Sequence, residues 1–157
     1  METELLTSCN TASISPYVPD GNNSWDVQKV QHVFRRLGFG ATLAEVDSAL
    51  NQSPGDFIDQ LVDDAMALPV TTAPPWGYFA VNDFDDFDNE NQDFIQAWRI
   101  QTGNDLASEG LRGRMTFFWS NHFVTELETY SYAPTFFNTI GCYRIMPWEI
   151  SRTLFMR

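Results

Sequence analysis

The sequence predicts a mainly α-helical protein, and three observations carry that reading. Apolar residues recur at spacings of three and four in several separate stretches. Residues that cap helices stand at the heads of those stretches, and glycine or proline stands near their ends. No stretch alternates apolar and polar residues convincingly enough to be a half-buried strand.

Residues 1–24 read as an extended arm, rich in Ser, Thr, Asn and Pro and without a sustained period. A first helix runs from a cap at Ser24 or Asp26 to Leu37, with Val27, Val30, Phe34 and Leu37 on one face. Gly38 follows it, and the spacing predicts a left-handed helix stop there. Thr42 and Glu45 form a capping box for a second helix ending near Asn51. A third begins at Ser53, with Pro54 in its first turn and Asp56 facing the positive helix end. Its expected buried stripe is Phe57, Leu61, Ala65 and Leu68.

Pro69, Pro74 and Pro75 forbid a helix through the next stretch. It reads as a long aromatic and acidic loop whose Trp76, Tyr78, Phe79, Phe84 and Phe87 pack onto the helices. A fourth helix is expected from Asn91 to Thr102, stopping at Gly103, and a fifth from about Ser108 to Val124.

The charge is unevenly placed. The chain carries a net charge of −12, yet twelve acids and no Lys or Arg fall between Leu37 and Trp98. Such a surface repels phosphate backbones, so no nucleic acid is expected as partner. No apolar run is long enough to span a membrane. The opening METELLTSCN is acidic and lacks the apolar core of a signal peptide, although Leu6–Cys9 is locally like a lipoprotein cleavage box. Cys9 and Cys142 lie far apart and imply no disulfide framework. Asn22 and Asn51 sit in glycosylation patterns that matter only in a eukaryotic secretory setting.

The usual chemical motifs are missing or fail. Counted from Asp83, an EF-hand loop would need glycine at its sixth position and glutamate at its twelfth, but Asp88 and Phe94 stand there. GFG at Gly38–Gly40 follows a helix rather than a strand and lacks the third glycine of a dinucleotide loop. His32, His122, Cys9 and Cys142 have no spacing that suits zinc. No metal and no cofactor are expected.

The stretch MTFFWSNHF places His122 among aromatics. On a helix Leu111, Met115, Phe118 and His122 share one face, so His122 is expected to point inward or into a helix–helix seam. A buried imidazole there is either a satisfied structural group or a base or ligand.

Two ordered stretches carry a resemblance. HVFRRLGFGATLAEVDSAL (32–50) resembles the opening signature of the bacterial domain-of-unknown-function 1800 family, and LRGRMTFFWSNHFVT (111–125) resembles its second. The matching positions are Arg35, Arg36, Gly38, Phe39, Gly40, Phe118, Trp119, Asn121, His122 and Phe123, with Ser120 where the family usually has a histidine. The resemblance covers roughly residues 25–137 and implies the helical N-terminal part of a larger α-helical protein. Family members are often exported and have no established activity. A later polar motif of the family is absent here, and so no substrate or partner is implied.

After Phe137 the family pattern stops. Reading Met146–Glu149 one base out of frame forces alanine opposite Pro147 and glycine opposite Glu149, with only leucine, methionine or valine between them. Allowed codons then let 138–157 read QYYRLLQNHALGNFKDFVHE, as the resemblance implies. Residues 138–157 are therefore expected to be a frameshifted, non-native tail, broken at Pro147, on a chain of marginal stability and poor solubility. Three functional readings follow. The chain is a truncated fragment without activity of its own. Its parent is a hydrolytic or metal-assisted enzyme using His122, Asn121 and Arg35 or Arg36. Or its parent is an exported binding or scaffold protein in which these residues form a buried polar network.

Overall fold

The computed structural model describes residues 17–123 and 131–155, with side-chain burial given as far as residue 145. Most of the expected arm, Cys9, the continuation of the fifth helix past Phe123 and the apolar side chains of the last ten residues lie outside that description. The described residues form six α-helices, one 3-10 turn and a single isolated bridge, Asp20–Asn23.

Three short helices come first, each started by a local polar contact. The Asp26 carboxylate caps α1 (Val27–Leu37) by accepting from the Lys29 amide at 3.1 Å. Thr42 and Glu45 close the capping box of α2 (Leu43–Leu50), the Thr42 amide donating to Glu45 at 2.6 Å. Ser53 caps α3 (Pro54–Ala67), with Pro54 in the first turn, where its missing N–H costs nothing. Val30, Val46, Ala49 and Phe57 bury together as one small core, and the Trp25 indole donates to the Ala49 carbonyl over it at 3.1 Å. Of the expected α1 stripe, Val27 is exposed.

Gly38 does not stop α1 in the left-handed region. Its φ is −147°, ordinary extended backbone, and the positive value falls two residues later, +144° at Gly40. Gly38 answers instead to a close approach, because a Cβ there would sit 3.1 Å from the Phe34 carbonyl.

A strap of residues 68–86, including the turn Val81–Asp83, leads to α4 (Phe87–Ser108). The helix passes straight through Gly103, where the sequence predicts an end. A glycine inside a helix costs only about 1 kcal/mol, and the burial of Ile95, Trp98 and Thr102 outweighs it. Gly110, at φ +54°, turns the chain into α5 (Gly110–His122). The last helix, α6 (Ala133–Phe155), continues through Pro147, contrary to the expected break. The proline removes one backbone donor, but the helix is already anchored on the core by its first three turns.

That second core joins the strap to α4 and α6 through Trp76, Ile95, Trp98, Phe136, Phe137 and Ile140. Trp76 stacks on Phe94 at 5.2 Å and meets Trp98 edge-on at 6.0 Å, so Trp76, with Phe79 and Phe84, packs down as the sequence predicts, while Tyr78 stays 75% exposed. Contacts between α4 and α6 advance together, Asn91 with Ala133, Trp98 with Phe137 and Asp105 with Arg144, so the two helices run in the same direction. α5 touches α1, α3, α4 and α6. Neighbouring α6 residues reach both of its ends, Arg144 to Glu109 and Tyr143 to Phe123, so α6 crosses α5.

Candidate functional site

The two signatures meet in space. Phe39, held out between Gly38 and Gly40, lies edge-on to Phe117 of α5 at 6.1 Å between ring centroids. The Arg114 guanidinium sits over the same Phe39 ring at 5.5 Å. A second set of rings follows α5 from Phe118 to its end. Phe118 stacks on His122 at 5.8 Å, and Trp119 stacks on Phe123 at 5.5 Å. Phe123 is in turn stacked on Tyr143 of α6 at 5.8 Å.

His122 is not buried. It lies exposed with Asn121 at the C-terminal end of α5, which corrects the expectation that it points into the core or a seam. The physical reason is the division of α5 by length rather than by face. Leu111, Arg112, Gly113 and Thr116 in its first half are buried, and the second half turns outward. Phe118 is 51% exposed, Phe123 and Phe39 48% each, and Phe117 41%, exposed rings in two groups, Phe39 with Phe117 and Phe118 with Phe123, of the kind that marks interaction sites. Ser120 donates to the Phe117 carbonyl of its own helix at 2.8 Å. The Trp119 indole N–H is buried without a partner among the described residues.

Arg35 and Arg36 are exposed near the end of α1. Among the described residues neither forms a hydrogen bond or ion pair with Asn121 or His122. The structure thus joins the two signatures through Phe39, Phe117 and Arg114, and not through the four polar candidates. No group of three potential metal ligands occurs among the described residues.

The polar network that does exist lies elsewhere and involves none of the four. Arg112 is nine-tenths buried, donates to both carboxylate oxygens of Glu109 at 3.1 and 2.9 Å, and holds the Leu68 and Pro69 carbonyls at 3.0 and 2.8 Å. It therefore closes the open end of α3. Arg144, equally buried, bonds Asp105 at 2.7 Å and also Thr71 of the strap. Asn91 completes the set: its amide donates to the Ser131 carbonyl at 2.9 Å and accepts from the Ala133 amide at 2.8 Å, docking the start of α6. Only Glu109 and Arg112 form a local pair, three residues apart; the other partners lie far apart in sequence, 39 residues for Asp105 with Arg144 and 40 for Asn91 with Ser131. Gly113 was also missed, and a Cβ there would fall 2.2 Å from the Leu106 carbonyl oxygen.

The network borders an open groove of about 330 Å³ between the strap and α6, floored by Trp98, Phe137 and Arg144.

A family model described as a protein of unknown function (DUF1800) matches residues 32–140 of this chain. No curated protein matches, and no solved structure matches.

Proposed function

The chain belongs to the DUF1800 family of proteins of unknown function, and from that premise we propose that it is a helical interaction piece of a longer protein, without activity of its own. One observation carries the reading. Phe117, Phe118 and Phe123 in the second half of the second signature are exposed aromatics, and His122 and Asn121 lie exposed beside them. Rings at half exposure are costly in water, at roughly 25 cal/mol per Å² of apolar area left uncovered. A surface of that kind is built to be covered.

The frameshift belongs to the same proposal. In the neighbouring frame tyrosine and leucine stand opposite the buried Ile140 and Tyr143, so an apolar stripe on α6 persists in either frame. Sequencing the DNA across codon 137 decides this part: codons unable to spell Ala-Leu-Gly-Asn-Phe in the neighbouring frame end it.

The covering is tested by thiol labelling. Phe118→Cys is made in this chain with Cys9 and Cys142 replaced by serine, and the matching change is made in a longer family protein carrying both signatures. Fast maleimide labelling in this chain and strong protection in the longer one are expected. Equal rates in the two sink the proposal. The enzyme reading, with His122, Asn121 and an arginine in one site, has its own check in the longer protein: His122→Ala abolishing a turnover at unchanged melting temperature would establish it.

A further inference from the structure

The aromatic surface has a charge of its own. α1 (Val27–Leu37) and α5 (Gly110–His122) together hold Lys29, Arg35, Arg36, Arg112 and Arg114, five of the nine bases in the chain, and no acid. The rest of the molecule supplies all twenty-one acids. The two helices are in contact, and Arg114 lies over the Phe39 ring. Arg112 is consumed inside by Glu109, but Arg36 stands exposed three residues before Phe39. Lys29 is paired with Asp26, so Arg35, Arg36 and Arg114 remain as a cationic fringe to the aromatic rings, with Glu45, Asp64 and Glu109 lining the other side of the Gly38–Gly40 corner.

We infer that the occupant of this surface is an acidic polypeptide segment with aligned apolar side chains, whose carboxylates meet Arg36 and Arg114 while its apolar face covers Phe118 and Phe123. This rests on the reading of the surface as a docking face and goes beyond it by giving the partner's chemistry. Charge complementarity selects it. Apolar burial alone is indifferent to the partner's charge, whereas unpaired guanidinium groups beside a closing interface favour carboxylates and reject cations. A bilayer of anionic lipid is the other surface that takes arginine with aromatics. It is disfavoured because an extended plane also meets the acidic remainder of a chain at −12, whereas a single segment stays within the roughly 8 Å over which charges act at physiological ionic strength.

The test is a selection of random sixteen-residue peptides displayed on phage, run on the full chain and counter-selected on its Phe118→Ser variant. Phe118 is half exposed, and retained far-UV circular dichroism checks that the variant folds. The expected pool carries an excess of Asp and Glu beside Phe, Leu or Ile. Its binding is weakened on the order of tenfold by Arg36→Gln with Arg114→Gln, and falls with added salt. Two failures are distinguishable. If neither a peptide pool nor vesicle binding separates the chain from Phe118→Ser, the docking face itself is refuted. If a pool separates them but has no acidic excess, or binds the double arginine variant unchanged, the face stands and the acidic partner is refuted. Binding to phosphatidylglycerol vesicles that is lost in Phe118→Ser, with no peptide pool, replaces the polypeptide with a membrane and also overturns the inference.

Discussion

Replacing Gly113 by alanine should destabilise this protein, although the same change at Gly103 should stabilise it. Both glycines are inside helices, where alanine is intrinsically better by about 1 kcal/mol. At Gly103 nothing lies within 4 Å of the added Cβ, so Gly103→Ala should realise that gain, raising stability by about 0.5–1 kcal/mol. At Gly113 the Cβ meets the Leu106 carbonyl oxygen at 2.2 Å, its carbon at 2.9 Å and its Cα at 3.0 Å. These are backbone atoms of α4 and cannot rotate away. Relief needs α4 and α5 to part by about 1 Å, which withdraws Leu111 and the Arg112 side chain from their partners. Overpacking of this kind costs about 1–3 kcal/mol, and a rigid backbone obstacle puts Gly113→Ala at the upper end. After the helix gain, a net loss of about 2 kcal/mol remains. For a chain of this size that is a fall of about 4–8 °C in melting temperature, against a rise of about 1–4 °C for Gly103→Ala. Urea titration followed by far-UV circular dichroism gives both numbers, with the Gly103→Ala background available if the parent is too weak to show a native baseline. A Gly113→Ala variant as stable as the parent would refute the close crossing of α4 and α5.

Other expectations follow from the polar contacts. Asn91→Ala removes the amide that bonds Ser131 and Ala133 and leaves a buried N–H unpaired, so a loss of about 2–3 kcal/mol and fast hydrogen exchange at Ala133 are expected; unchanged exchange there would count against the clamp. Arg112→Met leaves Glu109 with only the Arg144 guanidinium at 3.5 Å and should cost about 3–5 kcal/mol, with Glu109→Leu added restoring much of it in a double-mutant cycle. Glu45 is held below the ordinary glutamate range by the Thr42 amide and hydroxyl. A lowered folded value means its contribution is complete above the unfolded range and is lost as pH falls through the folded one. Glu45→Gln should therefore destabilise slightly near neutrality and not at all in acid, which paired melts at the two pH values would show.

How much of this was legible in the sequence depended on how local the deciding contact is. The caps at Asp26, Thr42 with Glu45, and Ser53 with Pro54 span three residues or fewer, and each stands where the sequence predicts it. The α4 boundary failed because Gly103 was weighed by its own propensity, while α4 is held by Trp98 and Ile95 against α6. His122 failed for a different reason. α5 has aromatics around much of its circumference, so spacing alone fixes no inward face, and what decides exposure is where α6 crosses. The network of Asn91, Arg112 and Arg144 was invisible because its partners are brought together only by the packed helices. The two signatures were legible as motifs, and their meeting at Phe39 and Phe117 was not.

The two cores share no residue, and this bears on how the molecule comes apart. The first, around Val30 and Phe57, is made of neighbours in the chain, while the second needs α4 and α6 joined across some forty residues. Closing that larger loop carries a slightly greater entropy penalty than bringing Val30 to Phe57 in the small core. Native-state opening should therefore proceed in two cooperative units rather than one. α5 touches helices of both, and Arg112, gripping the end of α3 from within α5, is the hinge pin at which one unit's release is felt by the other.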